Sequence, residues 1–309
     1  MTCRLPACSH YCGHLKDQPV ARERSNLKGR AKGLLARGDT GSLRYRLAER
    51  LYRSLHLSTL FHDRYYSNNT LGVFFTTVCN LSCHNCQTSA KQALSTDMLT
   101  VDQLEGVVDE AVSLEYFWDR IVITGGEATV HPQFFELLCS LDRYRSFHPA
   151  CRFVLETNGA GDRVQSVLNE VPDWVVVSNS SKAKGNQSYA FATYNVAPVD
   201  LPAYRFSDFS KGCSRVSTTH GLCATMYGYY PCSPCMNVAR VFGFDVGIQT
   251  LSMVTESALR EQMKVLCRYC GWFKERRDEV VWTEKTSRSW KRAFADYRKQ
   301  EPELSRYNL

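Results

Sequence analysis

A chain of 309 residues with 44% apolar and 22% charged residues can bury a sizeable core without disulfides, and its composition is that of an ordinary globular protein. No apolar run reaches the roughly 18 to 20 residues of a membrane span, and Arg4 and Lys16 are followed by polar sequence rather than by a secretion signal, so a soluble cytoplasmic protein is expected. Of the net charge of +7, residues 1 to 60 carry twelve Lys or Arg against four Asp or Glu; the rest is near neutral, which argues against a nucleic-acid-coated surface and puts any anionic partner at the N-terminal arm.

Residues 1 to 66 read as a basic arm and an amphipathic helix. Leu43, Leu47, Leu51 and Leu55 form the apolar stripe, opposed by Arg44, Arg46, Arg50 and Arg53. The helix is expected to pack on the main domain, with a membrane surface as the rival partner. From Leu71 the pattern alternates. Gly72 to Thr77 is a buried strand; Thr100 and Gln103 form a capping box for a helix over 101 to 114 with Leu104, Val107, Val108 and Leu114 inward. Ile121 to Thr124 is a second strand, and Pro132 opens a helix that turns Phe134, Phe135, Leu138 and Leu141 to the core. Phe153 to Glu156, a helix over 163 to 171, Trp174 to Ser178 and Ala190 to Val196 continue the series. Strand and helix at this spacing imply an α/β fold with parallel strands, a barrel or part-barrel, in which chemistry gathers at the C-terminal strand ends. Near the end of the chain, Trp282, Thr286, Trp290, Phe294 and Tyr297 lie at helical spacing and form a packing face.

Fourteen cysteines in a chain without a secretion signal point to metal rather than disulfides. Cys139 and Cys151 stand alone and read as buried core thiols. Cys3, Cys8 and Cys12 follow no predicted strand, and a third metal site there is a weaker alternative. Cys79, Cys83 and Cys86 offer three thiolates on a loop after the first strand. Three matters, because a structural zinc or an electron-transfer cluster takes four protein ligands, whereas three on a [4Fe-4S] cluster leave one iron open. A zinc site completed by His84 is the alternative.

This C-x3-C-x2-C loop resembles the signature of the radical SAM superfamily. The resemblance covers about residues 71 to 200 and implies a partial (β/α)6 TIM-type barrel over 67 to 208. It implies that Cys79, Cys83 and Cys86 ligate a [4Fe-4S] cluster whose fourth iron is chelated by S-adenosylmethionine (SAM), and that the cosubstrate is cleaved reductively to a 5′-deoxyadenosyl radical. Ile123-Thr-Gly-Gly-Glu127 resembles the family's segment that contacts the methionyl amino group, through Gly125, Gly126 and Glu127. Asn158, in the turn after the third strand, and Ser178 or Asn179, after the fourth, fall where the family contacts the cosubstrate. Asn85 departs from the aromatic residue common before the third cysteine, which concerns only how adenine is held.

Cys213, Cys223, Cys232, Cys235, Cys267 and Cys270 follow the barrel. Cys213-x14-Gly228-x3-Cys232 and Cys267-x2-Cys270 are similar to the twitch extension of SPASM/twitch enzymes. That similarity implies a small Cys-rich α+β segment over 209 to 280 holding a second [4Fe-4S] cluster on Cys213, Cys232, Cys267 and Cys270, with a C-terminal helix over 281 to 309. Cys223 could replace Cys213, and Cys235 could join. The spacing alone also fits a zinc site on Cys232, Cys235, Cys267 and Cys270. Tyr227 to Cys232 reads as a hairpin turn leading into a ligand strand. The expected activity is a radical SAM oxidation or dehydrogenation of a small natural-product precursor, with a peptide maturase as the alternative and a non-catalytic zinc or iron-sulfur sensor as the alternative of another class. The partners implied are a small-molecule or peptide substrate and a reductase or flavodoxin-type electron donor.

Overall fold

The computed structural model describes residues 69–182, 194–213, 215–216, 221–273 and 286–307. The basic arm, the leucine-striped helix, Cys3, Cys8, Cys12 and Trp282 lie outside the described residues.

Strand β1 (Thr70–Phe74) is followed by helix α1 (Val101–Ser113), β2 (Arg120–Thr124), α2 (Phe134–Phe147), β3 (Arg152–Thr157), α3 (Asp162–Asn169) and β4 (Val175–Asn179). The four strands are parallel and adjacent in chain order, Leu71 pairing with Ile121, Ile121 with Phe153 and Phe153 with Val175. Alternation puts one row of side chains on each face of a strand. Leu71, Val73, Ile121, Ile123, Phe153 and Leu155 are all at most 1% exposed and make the core row, whereas Val176 and Ser178 on the edge strand are open. The parallel β/α units give the α/β architecture of a partial barrel.

The capping box forms as expected: Thr100 Oγ1 accepts from the Gln103 N–H at 3.1 Å and Gln103 Oε1 from the Thr100 N–H at 3.0 Å, together contributing about 1 kcal/mol. The inward faces need two corrections. Leu114 caps α1 and is 47% exposed, its place taken by Ala111; on α2, Leu137 is buried and Phe135 exposed. Phe134 starts α2, so Pro132 precedes the helix rather than opening it. Cys151 is buried, but Cys139 is exposed on the outer face of α2 and is no core thiol.

Of the expected strand Ala190 to Val196, the first four residues lie outside the described residues, and the rest is turn and irregular chain. The next strand is β5 (Leu222–Thr225), which forms a hairpin with β6 (Gly228–Tyr230). The hairpin joins the opposite edge of the sheet: Leu71 pairs with Leu222 and Gly72 with Cys223, giving the order β4-β3-β2-β1-β5-β6. The sheet therefore extends into the Cys-rich segment. Pro231 and Cys232 then lead into a helix rather than a strand, α4 (Ser233–Phe242), with Cys232 as its N-cap and Pro234 in its first turn. Helices α5 (Glu256–Leu266) and α6 (Arg288–Lys299) complete the described elements, and Trp290, Phe294 and Tyr297 are buried on α6 as expected. No helix among the described residues is long and apolar enough to cross a membrane.

Candidate metal and cosubstrate site

β1 delivers the chain to Thr76–Val78, where it is laced to the loop after β2. Gly126 N–H donates to Thr76 O at 2.7 Å and Glu127 N–H to Val78 O at 2.9 Å. Only glycine permits this approach: a Cβ on Gly125 would lie 2.7 Å from Thr76 O, and one on Gly126 2.3 Å from Val78 O. Thr88 Oγ1, two residues past Cys86, donates to Gly125 O at 3.3 Å. The cysteine loop and the Gly-Gly turn thus form one backbone-lined rim at the C-terminal end of the sheet.

On that rim Cys83 is buried and Cys79 and Cys86 are partly exposed. Burial pushes the Cys79 thiol up to about 11, helped by the negative charges of Cys86, Glu127 and Cys83 and opposed by the Leu81 N–H at 3.4 Å. Burial also raises Cys83, against the pull of Lys182. Thiols held in this state release protons when they bind metal. Asn85 is buried with φ near +50°, a left-handed conformation that asparagine adopts more readily than most side chains. His84 is exposed.

Glu127 reaches the site but is held by the protein. Its Oε1 accepts from Thr129 Oγ1 and Thr157 Oγ1, both at 2.8 Å, and its Oε2 from the Asn158 N–H at 2.7 Å. It braces the end of β2 against the end of β3. Asn158 is buried against the cysteine loop, its Nδ2 donating to Asn80 Oδ1 at 2.8 Å and lying 3.8 Å from Cys79 Sγ. Ser178 is on edge strand β4, exposed and paired in register with Glu156, one residue before the Asn179 that pairs with Thr157. A cleft of about 340 Å³ beside Cys79 and Asn80 is lined also by Val130, Ala160 and Arg163. A larger groove, about 770 Å³, lies between α4, α6 and the chain end and is lined by no cysteine.

Residues 73–178 match the family described as the radical SAM superfamily. The chain carries a radical SAM domain. That family implies a [4Fe-4S] cluster and SAM, and the rim fits them: three thiols stand on one loop, packed directly against the Gly-Gly turn. Among solved structures the chain is similar to BtrN in complex with AdoMet and 2-DOIA, at 15% identity over 73% of this chain and 98% of that one, TM-score 0.40. BtrN in an open conformation is similar at 13% identity over 72% and 93%, TM-score 0.36. SuiB of Streptococcus suis bound to S-adenosylmethionine is similar at 15% identity over 50% of this chain and 35% of that one, TM-score 0.29. Likenesses of this size leave the assignment resting on the domain match. No curated protein matches the chain.

Beyond the radical SAM domain, Cys213, Cys223, Cys232, Cys235, Cys267 and Cys270 are all buried. Cys235 hydrogen-bonds both Cys232 and Cys267, and Cys270 feels the charges of Cys213, Cys232 and Cys267. Five thiols therefore lie together, the four expected ones and Cys235. The hydrogen bond from Cys235 lowers the Cys232 pKa, with Arg215 adding to it, while Cys235 is raised; the position of Cys232 at the N-terminus of α4 also favours a thiolate. Cys223 belongs to the sheet, against Gly72, and its pKa is raised by burial and by the nearby Cys232, so it borders the group of five. Among the described residues no three His, Cys, Asp or Glu side chains are arranged as a ready single-ion site.

Sequence reasoning passed over several residues at these centres. Asn80, Thr88, Lys182 and the buried Arg240 were not singled out, and only Asn80 and Thr88, being inside or next to the motif, carry a local signal.

Proposed function

We propose that this protein is a SAM-cleaving oxidoreductase that removes hydrogen from a small organic substrate and passes the substrate's electron to a second cluster. The observation that carries the reading is the three-thiol rim. Cys79, Cys83 and Cys86 supply three ligands, His84 is turned to solvent and the Glu127 carboxylate is committed to Thr129, Thr157 and Asn158, so the fourth coordination position falls to the cosubstrate. When bound, the reduced cluster supplies the electron that splits SAM into methionine and a 5′-deoxyadenosyl radical. The protein's part is placement. Backbone carbonyls of the Gly125–Gly126 turn would receive the methionyl ammonium, Asn158 stands 3.8 Å from the Cys79 sulfur, and the buried row behind the rim would keep water from the site.

The five buried thiols support a second [4Fe-4S] cluster with four protein ligands, a closed centre suited to taking up an electron. The substrate would lie on the open face of the sheet, where Thr124 Oγ1 donates to Glu156 Oε2 at 3.2 Å and Ser178 is the next residue in the row. A compact polar substrate suits that row, and a reductase or flavodoxin-type donor would supply the priming electron. Anaerobic reconstitution with iron and sulfide, followed by SAM and dithionite, should yield 5′-deoxyadenosine. Cluster-loaded protein that yields none would rule out the enzymatic reading.

A further inference from the structure

Arg240 is only 1% exposed and among the largest fully buried side chains. A guanidinium keeps its charge in proteins, and burying it is unfavourable by several kcal/mol unless its donors are met. Here Nη1 donates to Ala93 O at 2.9 Å and Tyr297 OH at 2.8 Å, and Nη2 to Thr88 O at 2.9 Å and Asn237 Oδ1 at 3.1 Å. The acceptors are two carbonyls, a hydroxyl and an amide oxygen. They come from the segment after Cys86, from α4 and from α6, so one side chain fastens three separate stretches of chain.

Those stretches lead to both cysteine centres. Thr88, whose carbonyl takes Nη2, uses its own hydroxyl on Gly125 O. Asn237, the other Nη2 partner, lies two residues past Cys235 and donates to Ser89 Oγ and Tyr194 OH, both at 3.1 Å; the Ser89 N–H in turn donates to Cys86 O at 2.9 Å. Tyr194 is wholly buried, its hydroxyl donates to Pro234 O at 3.0 Å, and it feels the charges of Cys270, Cys235 and Cys232. A continuous buried network therefore runs from the second thiol group through Tyr194, Asn237 and Arg240 to the Cys86 loop and the Gly125 carbonyl. Of the Arg240 donors only the buried Nε has no partner among the described residues; the other guanidinium donors are met, and removing one member of such a network leaves its partners unpaired.

Building on the proposed function, we propose that Arg240 is a positioning residue for SAM: without touching the cosubstrate, it holds Thr88 on Gly125 and so makes the shape of the SAM site depend on the α4 segment that carries Cys232 and Cys235. Arg240→Met keeps the length and the packing of the side chain but removes the charge and all four hydrogen bonds. With both clusters loaded, it should weaken SAM binding about tenfold, measured by equilibrium dialysis and by the change that SAM makes in the EPR spectrum of the reduced cluster, and should raise KM for SAM more than it lowers kcat. Arg240→Lys, which keeps the charge and some donors, should recover most of the loss. Native affinity in a fully loaded Arg240→Met protein would overturn the proposal.

If Arg240→Met does not load its clusters, Arg240→Gln, which loses the charge and most of the donors, and Thr88→Val carry the test as a double-mutant cycle. Transmission through Thr88 predicts that the double variant binds SAM no more weakly than the weaker single one, and effects that simply add would overturn it. The unsubstituted protein separates the two levels of inference. If it holds clusters and cleaves SAM while the variants bind normally, only the role of Arg240 falls; if it holds no cluster at the first centre, the proposed function itself falls.

Discussion

The two cysteine centres are built in opposite ways. The first places three thiols on a short loop, leaves Cys79 and Cys86 partly exposed and packs the chain before them against the Gly125–Gly126 turn. The second gathers five thiols from three stretches of chain, and all are buried. Under the proposed function, the open group of three thiols would meet the cosubstrate, and the closed group of five would hold a second cluster away from water.

Breaking the open centre should have the largest effect. Cys83→Ala should reduce 5′-deoxyadenosine formation below detection by chromatography while leaving the metal of the second centre in place. Gly126→Ala comes next, because its Cβ would meet the Val78 carbonyl at 2.3 Å and backbone must move. A destabilisation of about 1–3 kcal/mol in denaturant titrations is expected, together with SAM affinity weakened at least about tenfold, since the rim itself is deformed. The closed centre is sharpened by contrast within it: Cys223→Ser should leave iron content unchanged, because Cys223 lies on β5 against Gly72, whereas Cys232→Ser should lose iron.

The smallest effect tests the join between the two regions. Asp97 is held by hydrogen bonds from Ser95, from Tyr227 in the hairpin turn and from Arg306, which outweigh its burial and lower its pKa. A carboxyl depressed in the folded state stabilises fully above its unfolded pKa of about 3.9, and that contribution is lost as pH falls through the lower folded value. Asp97→Asn should therefore cost about 1–2 kcal/mol at pH 7 and progressively less as pH falls below the unfolded value, read from urea unfolding over a series of pH values.

The open centre was legible in the sequence because it is local. Cys79 to Cys86 span eight residues, the Gly-Gly turn needs only its own backbone, and the strands that aim both carry strong patterns. What was not legible depends on distant partners. Glu127 looks available until Thr157 and Asn158, thirty residues on, fold back onto it. The hairpin at 222–230 joins β1 rather than following β4, a pairing across about 150 residues that no local pattern encodes. Arg240 reads as one more basic residue near a helix C-terminus until Thr88 and Ala93 surround it. For Cys232 a local signal existed: Pro234 suits the first turn of a helix, not a ligand strand. Phe135 and Cys139 were misjudged because both lie on the outer face of α2, one helical turn apart.

Iron and sulfide counting on the anaerobically reconstituted protein, beside a variant with Cys79, Cys83 and Cys86 all changed to Ala, tests most directly that one open and one closed centre coexist. About eight iron and eight sulfide per chain should fall to about four of each. Zinc without sulfide in the variant, or no metal in it at all, would contradict the two-cluster account.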